Sequence, residues 1–354
     1  METRKIQQVS KGTFTVSLPR EWAREKGLSA GEIVHVHTSL DGTLVVQPAD
    51  DETANIDLAV GDESPEQLTR LLRTAYVLGA LRIRISSEGG FTERQRTALR
   101  AAVRTLSGMA IDEESETALI TKNVIDSEQV SIRQSVRHLQ FVALSRHREA
   151  TEALLGTDGA RTTPSDDARG DRLAMLVERY FVRSLSRLDA IDKLGEGRAD
   201  LFSFFRVADE LAQIASCGDR IAAVALALEE PLCDLCDDAV AAEIEAAAID
   251  ACEAAETAAE SVFDQNPDDI WSVLQTCDAV RETLDELECR LVESPEGNYE
   301  TVRALSAVRR TADSAASIAS IGLRRGMQRN RFEADRVADA RTEDGSAVPS
   351  NVDN

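Results

Sequence analysis

Six basic side chains, Arg4, Lys5, Lys11, Arg20, Arg24 and Lys26, fall within the first 26 residues against only Glu2, Glu21 and Glu25. The whole chain of 354 residues carries a formal charge of -23, so this end is locally basic on an acidic protein. Guanidinium and ammonium groups gathered in this way suit a polyanion, and nucleic acid is the first candidate. Other residues with chemical potential are less organised. Cys233-Asp234-Leu235-Cys236 has no second cysteine pair and no histidine at ligand spacing, so the six cysteines read as small buried thiols rather than a zinc site. His35 and His37 share a strand face, and His138 and His147 fall on a helix. No nucleophile has a base and an orienting group beside it, so no enzyme is expected.

The elements that must position the basic residues can be read in order. Arg4 to Val9 is a short strand, Lys11-Gly12-Thr13 a turn, and Phe14, Val16 and Leu18 alternate with Thr15 and Ser17 as on a strand with one wet face. Pro19 opens a two-turn helix over Arg20 to Lys26, and Gly27 ends it. Ile33 to His37 and Leu44 to Val46 then form a hairpin around Asp41-Gly42. About fifty residues in this order enclose little core alone, which implies an obligate dimer.

Arg4-Lys5-Ile6, the run Thr13 to Arg20, the run Gly27 to Glu32 and the closing Asp-Gly hairpin resemble the SpoVT-AbrB (MazE-type) family. That resemblance implies a swapped-hairpin, β-barrel-like dimer domain that binds double-stranded DNA. By position it assigns the contacts to Arg4, Lys5, Lys11, Arg20 and Arg24, with Glu32 as the acid that follows the later glycine.

No run of 18 apolar residues is present and the start Met-Glu-Thr-Arg lacks a signal-peptide core, so a cytoplasmic protein without membrane insertion is expected. Lysine is confined to five positions while Arg, Asp, Glu and Ala abound, a bias resembling proteins of salt-loving archaea. In molar salt the screening length falls to about 3 Å, so only contacts at touching distance would count. After Asp50-Asp51-Glu52-Thr53 the pattern turns to a small α/β segment. It has strands over 56–60 and 81–85, helices over 65–79 and 93–106, and strands over 110–113 and 117–122. This segment would connect or dimerise.

From about Ser127 onward every segment reads as helix, with six long helices near 127–155, 168–193, 200–228, 238–264, 268–293 and 298–326. Sliding the third by 97 positions sets Arg206 on Arg303, Leu211 on Val308, Ala215 on Ala312, Ile221-Ala222 on Ile318-Ala319, Val224 on Ile321 and Leu226 on Leu323. Such a register is the mark of a tandem repeat of three-helix bundles.

That order of domains, with Gly170-Asp171-Arg172-Leu173, the Leu211 to Ala222 stretch and the run from Arg309-Arg310-Thr311-Ala312-Asp313 to Ile318-Ala319, resembles the archaeal branch of the PhoU family of phosphate-uptake regulators. The implied multidomain chain has a DNA-binding domain over 1–50, an α/β connector over 51–124, PhoU-like bundles over 125–230 and 231–328, and a disordered tail over 329–354. The implied function is that of a homodimeric transcriptional regulator of phosphate homeostasis, the phosphate ABC transporter being a further partner. The alternative is an adaptor that binds the transporter or a signalling protein without binding DNA.

Members of that family hold iron or zinc through acidic pairs four apart. Here Asp167 and Asp171 keep the spacing, but the third helix has Ala212 and Ser216, the fifth Arg281 with Asp285 and the sixth Arg309 with Asp313. No cofactor is therefore expected, Asp167, Asp171, Asp285 and Asp313 being the sole metal candidates. Either arginine–carboxylate pairs replace the cluster, or these are ordinary i,i+4 surface pairs.

Overall fold

The computed structural model describes residues 3–10, 12–38, 44–48, 55–125, 130–156, 169–186, 194–228, 230–264, 266–293 and 299–344, without the side chains of 10, 292–293 and 329–344. The chain divides into two compact units, Met1–Ala54 and Asn55–Asn354.

In the first unit β1 (Gln7–Ser10) pairs antiparallel with β2 (Thr13–Thr15) through a bulge between Gln8 and Ser10, and β3 (Val34–Thr38) pairs antiparallel with β4 (Leu44–Pro48). Between the hairpins lies α1 (Arg20–Glu25), entered from Pro19 and stopped where Gly27 takes a φ of 69°. The order matches the sequence reading, but the barrel does not form within one chain. Two separate two-stranded sheets are present, and no described residue between 3 and 48 is buried. The reason is supply: four short strands and a two-turn helix have no third layer to lay over their apolar faces.

The second unit begins with a four-stranded sheet in the order β5-β6-β8-β7. β5 (Asn55–Val60) runs parallel to β6 (Arg82–Ser87), while β8 (Ala118–Asn123) is antiparallel to both β6 and β7 (Met109–Glu114). The parallel pair needs a crossover, supplied by α2 (Pro65–Val77), and α3 (Glu93–Arg104) follows β6. Both helices open with a full capping box, Ser64 with Gln67 and Thr92 with Gln95. Leu68, Leu72 and Tyr76 of α2 and Leu99 and Val103 of α3 bury against Ile83, Ile85 and Leu119 of the sheet.

The helices that follow are α4 (Ile132–Leu155), α5 (Arg169–Ser186), α6 (Arg198–Ala227), the single turn α7 (Leu232–Leu235), α8 (Asp238–Asp264), α9 (Pro267–Glu293) and α10 (Tyr299–Asp344). α6 packs on α4, α5 and α10, α10 also packs on α8 and α9, and α4 reaches α8. The alanine-rich face of α8, Ala247, Ala251, Ala255 and Ala258 among others, is buried and lets its neighbours approach closely. Of the aligned positions, Leu211 and Val308, Ala215 and Ala312, Ile221 and Ile318, Ala222 and Ala319, and Val224 and Ile321 are buried in both helices, whereas Leu226 is exposed and Arg206, Arg303 and Leu323 are not buried. One uninterrupted apolar cluster runs from Ile132 to Ile321 through the helices α4 to α10.

Helix α10 continues to Asp344, where the sequence reading placed a structureless tail from 329. Between Met327 and Asp344 there is neither Gly nor Pro, and Ala, Arg and Glu favour propagation of a helix already nucleated upstream.

Candidate functional site

Arg4 and Lys5 lie on the exposed lead-in to β1, and Arg20 and Arg24 sit one turn apart on the exposed face of α1, whose other side carries the half-buried Trp22 and Ala23. Lys11 lies outside the described residues. Among the described residues no carboxylate pairs with Lys5, Arg20 or Arg24. Glu32 is taken up by its own turn, where its carboxylate accepts the Ser29 backbone N–H at 2.8 Å. Lys5, Arg20 and Arg24 are thus exposed cations able to contact phosphate oxygens. Around them the large apolar side chains Ile6, Val9, Phe14, Val16, Ile33 and Val36 are also exposed, Phe14 at 67% and Ile33 at 72%.

The acidic positions are arranged otherwise. Asp167 lies outside the described residues. Asp171 borders a cavity of about 250 Å³ together with Arg73, Glu178, Phe205 and Asp209. Burial, with Asp209 nearby, pushes the Glu178 carboxyl above its usual range. Burial also raises Asp219, against the pull of Arg146 and with a push from Asp171.

Asp285 and Asp313 join neither that cavity nor each other. Arg281 of α9 donates from Nε to Asp313 Oδ1 of α10 at 2.8 Å, and Arg309 of α10 donates to Asp285 of α9. Each arginine also holds a second acid, Arg281 with Asp278 at 2.7 Å and Arg309 with Glu288 at 3.3 Å. The pairs therefore cross between helices rather than running i to i+4 within one, so the bland sequence reading of intrahelical pairs is corrected. Asp313 and Asp285 stay 53% and 68% exposed, so each pair contributes at most about 1 kcal/mol. Among the described residues no group of three or more His, Cys, Asp or Glu is placed to hold a metal ion.

Three positions escaped the sequence reading. Arg179 of α5 is buried, lies 4.5 Å over the Tyr76 ring, and donates to the carbonyls of Tyr76 and, at 2.7 Å, Ala80, which ties the α/β layer to the helices. Burial lowers its pKa to about 10, the nearby Tyr76 hydroxyl opposing the shift. Arg325 of α10 is buried, donates to Asp200 at 2.7 Å and to the Val262 carbonyl, and covers the Phe204 ring at 4.6 Å. His147 is fully buried on α4. The available signal was a polar residue on an apolar stripe: Arg325 continues Ala315, Ile318 and Gly322 at helical spacing, and His147 falls between Ala143 and Ala150. Three cysteines, 217, 252 and 277, are buried as read, whereas Cys233 and Cys289 are exposed.

No described helix is long and apolar enough to cross a membrane. Comparison with protein-family models, with curated proteins and with solved structures gives no match to this chain.

Proposed function

We propose that the chain is a DNA-binding transcriptional regulator of phosphate homeostasis that acts as a homodimer, its helical bundles sensing state or docking a partner. One observation carries the reading. The amino-terminal unit leaves its large apolar side chains exposed beside exposed, acid-free Lys5, Arg20 and Arg24, so it has both a face to be covered by a second copy and cations to present. Covering an apolar side chain is worth about 1.5–3 kcal/mol, so two interlocked copies gain enough to order a unit with no core of its own. Interlocking would complete the β-barrel-like form and double the cationic surface, matching the two-fold symmetry of an operator. The phosphate assignment is supported by the resemblance of the domain order and the repeated bundles to archaeal PhoU proteins.

The test is retardation of duplexes from the protein's own and phosphate-transporter promoters in high salt, with wild type and with Arg4→Ala, Lys11→Ala and Arg24→Ala. Each substitution is expected to weaken binding across sequences. Equal behaviour of wild type and variants would favour the adaptor that docks on protein through its acidic surface.

A further inference from the structure

The two edges of the four-stranded sheet differ. β7 is blunted: Asp112 is an extra residue between Ile111 and Glu113 in its pairing with β8, and the strand ends in Asp112, Glu113 and Glu114. A bulge and a run of like charges are ordinary defences of an edge against pairing with another chain. β5 has neither. Its residues Asn55-Ile56-Asp57-Leu58-Ala59-Val60 keep an unbroken register with β6 and include no Pro, no basic residue and a single acid. On the side away from β6, no backbone group of β5 bonds to another backbone group among the described residues.

The side chains of β5 show what would fit beside it. Ile56, Leu58 and Val60 pack on the core that α2 and α3 cover, yet they stay half-buried while Ile83 and Ile85 of the next strand are fully buried. Asn55, Asp57 and Ala59 alternate with them and are exposed. Antiparallel pairing sets residues of one face opposite each other, so a strand that pairs with its own copy must do so about a residue. Centring on Asp57 would bring two like charges together. Centring on Leu58 sets Leu58 on Leu58, Ile56 on Val60 and Asp57 on the small Ala59, which joins the two half-buried apolar rows and parts the acids.

From this self-complementarity we infer that β5 is a second two-fold interface, where the strands of two copies pair antiparallel around Leu58 and fuse their sheets into one of eight strands. Chain reach favours a second copy over an unrelated strand. Only residues 49–54 separate β4 from β5, a span of at most about 25 Å. In the dimer proposed above two β5 strands are thus tethered near each other, and their pairing gains the effective concentration of a linked site. That gain rests on the proposed function, whereas the open edge and its register do not.

The experiment is oxidative cross-linking of the full chain in a Cys233→Ser, Cys236→Ser, Cys289→Ser background. Leu58→Cys, and separately Asp57→Cys combined with Ala59→Cys, set thiols directly opposite each other, with about 5 Å between Cα atoms. Asp57→Cys alone or Ala59→Cys alone leaves them on a diagonal of about 7–8 Å, too far for an unstrained bridge. At least one of the first two variants is expected to form disulfide-linked dimer about tenfold or more faster than either of the last two, with an unchanged circular-dichroism melting curve. Residue-resolved hydrogen exchange of the unsubstituted chain is expected to protect every amide from Ile56 to Val60, where a lone edge strand leaves each second N–H open. Equal or absent linkage in all four variants, or free exchange at alternate amides, would overturn the proposal. A dimer in sedimentation that retards duplex DNA but forms no β5 link would reject this interface and leave the proposed function standing, and a β5 link without retardation would do the reverse.

Discussion

Phe14 and Phe204 are the same residue with opposite fates. Phe14 on β2 is 67% exposed, whereas Phe204 on α6 is fully buried with the Arg133 and Arg325 guanidiniums over its ring. Each long helix packs against two or more other elements, while each hairpin of the amino-terminal unit is a two-stranded sheet by itself. Sequence pattern therefore decides which side chains need burial, and the number of layers in a single chain decides whether they get it. The difference separates a region that buries its apolar side chains within one chain from one that, in the proposed dimer, would need a second copy to do so.

The sharpest way to break this contrast is to hollow the complete region. Phe204→Ala should lower the stability of the helical unit by about 3–5 kcal/mol, read by urea unfolding, because it opens a cavity and strips two cations of their ring. Next comes pH. His147 is held neutral by burial, with Arg148 adding to the effect, and its pKa falls from 6.5 to about 4. The unfolded chain thus binds the proton first, so stability is full above pH 6.5, declines as pH falls toward 4, and levels off below. The loss is about 3 kcal/mol, and it should vanish in His147→Leu. Raised carboxyls such as Glu178, Glu210 and Asp219 act in the opposite direction, so the difference between wild type and variant isolates the histidine.

A third substitution turns to the incomplete region. Phe14→Ser would be neutral if the observed exposure were final. In the proposed dimer it should cost about 2 kcal/mol per chain and shift sedimentation toward the monomer at a fixed concentration, with helical content unchanged. The smallest effect belongs to Arg281→Ala with Arg309→Ala. Removing both crossed pairs should lower stability by no more than about 1–2 kcal/mol in low salt and by less in high salt, as followed by urea unfolding.

Much of the architecture was legible because punctuation and period agreed. Ser64-Pro65 and Thr92 mark the starts of α2 and α3, Pro267 opens α9, Gly156 closes α4, and the Ile-Ala register of α6 recurs in α10. Legibility ended where partners are distant in the chain. The acceptors of Arg179 lie 103 and 99 residues away and the Asp200 partner of Arg325 lies 125 away, so no local spacing could have announced what either arginine binds, although the apolar stripe leading to Arg325 did mark its face as buried. The crossed pairing of Arg281 and Arg309 was hidden for the same reason, since i to i+4 spacing offers an intrahelical partner that the packed helices decline. The single turn α7 was missed because Pro231 reads as a break, although it also opens the turn.

The single apolar interior of the helical region bears on how that region would move. Two separate bundles joined by a linker could rock independently, but helices that share one core, with α6 packed on α10, have surrendered that freedom. A push delivered at any one helix is transmitted as motion of a stiff block, because close-packed interiors compress little. Any signal leaving this part of the molecule would be carried by tilt or displacement of the block as a whole.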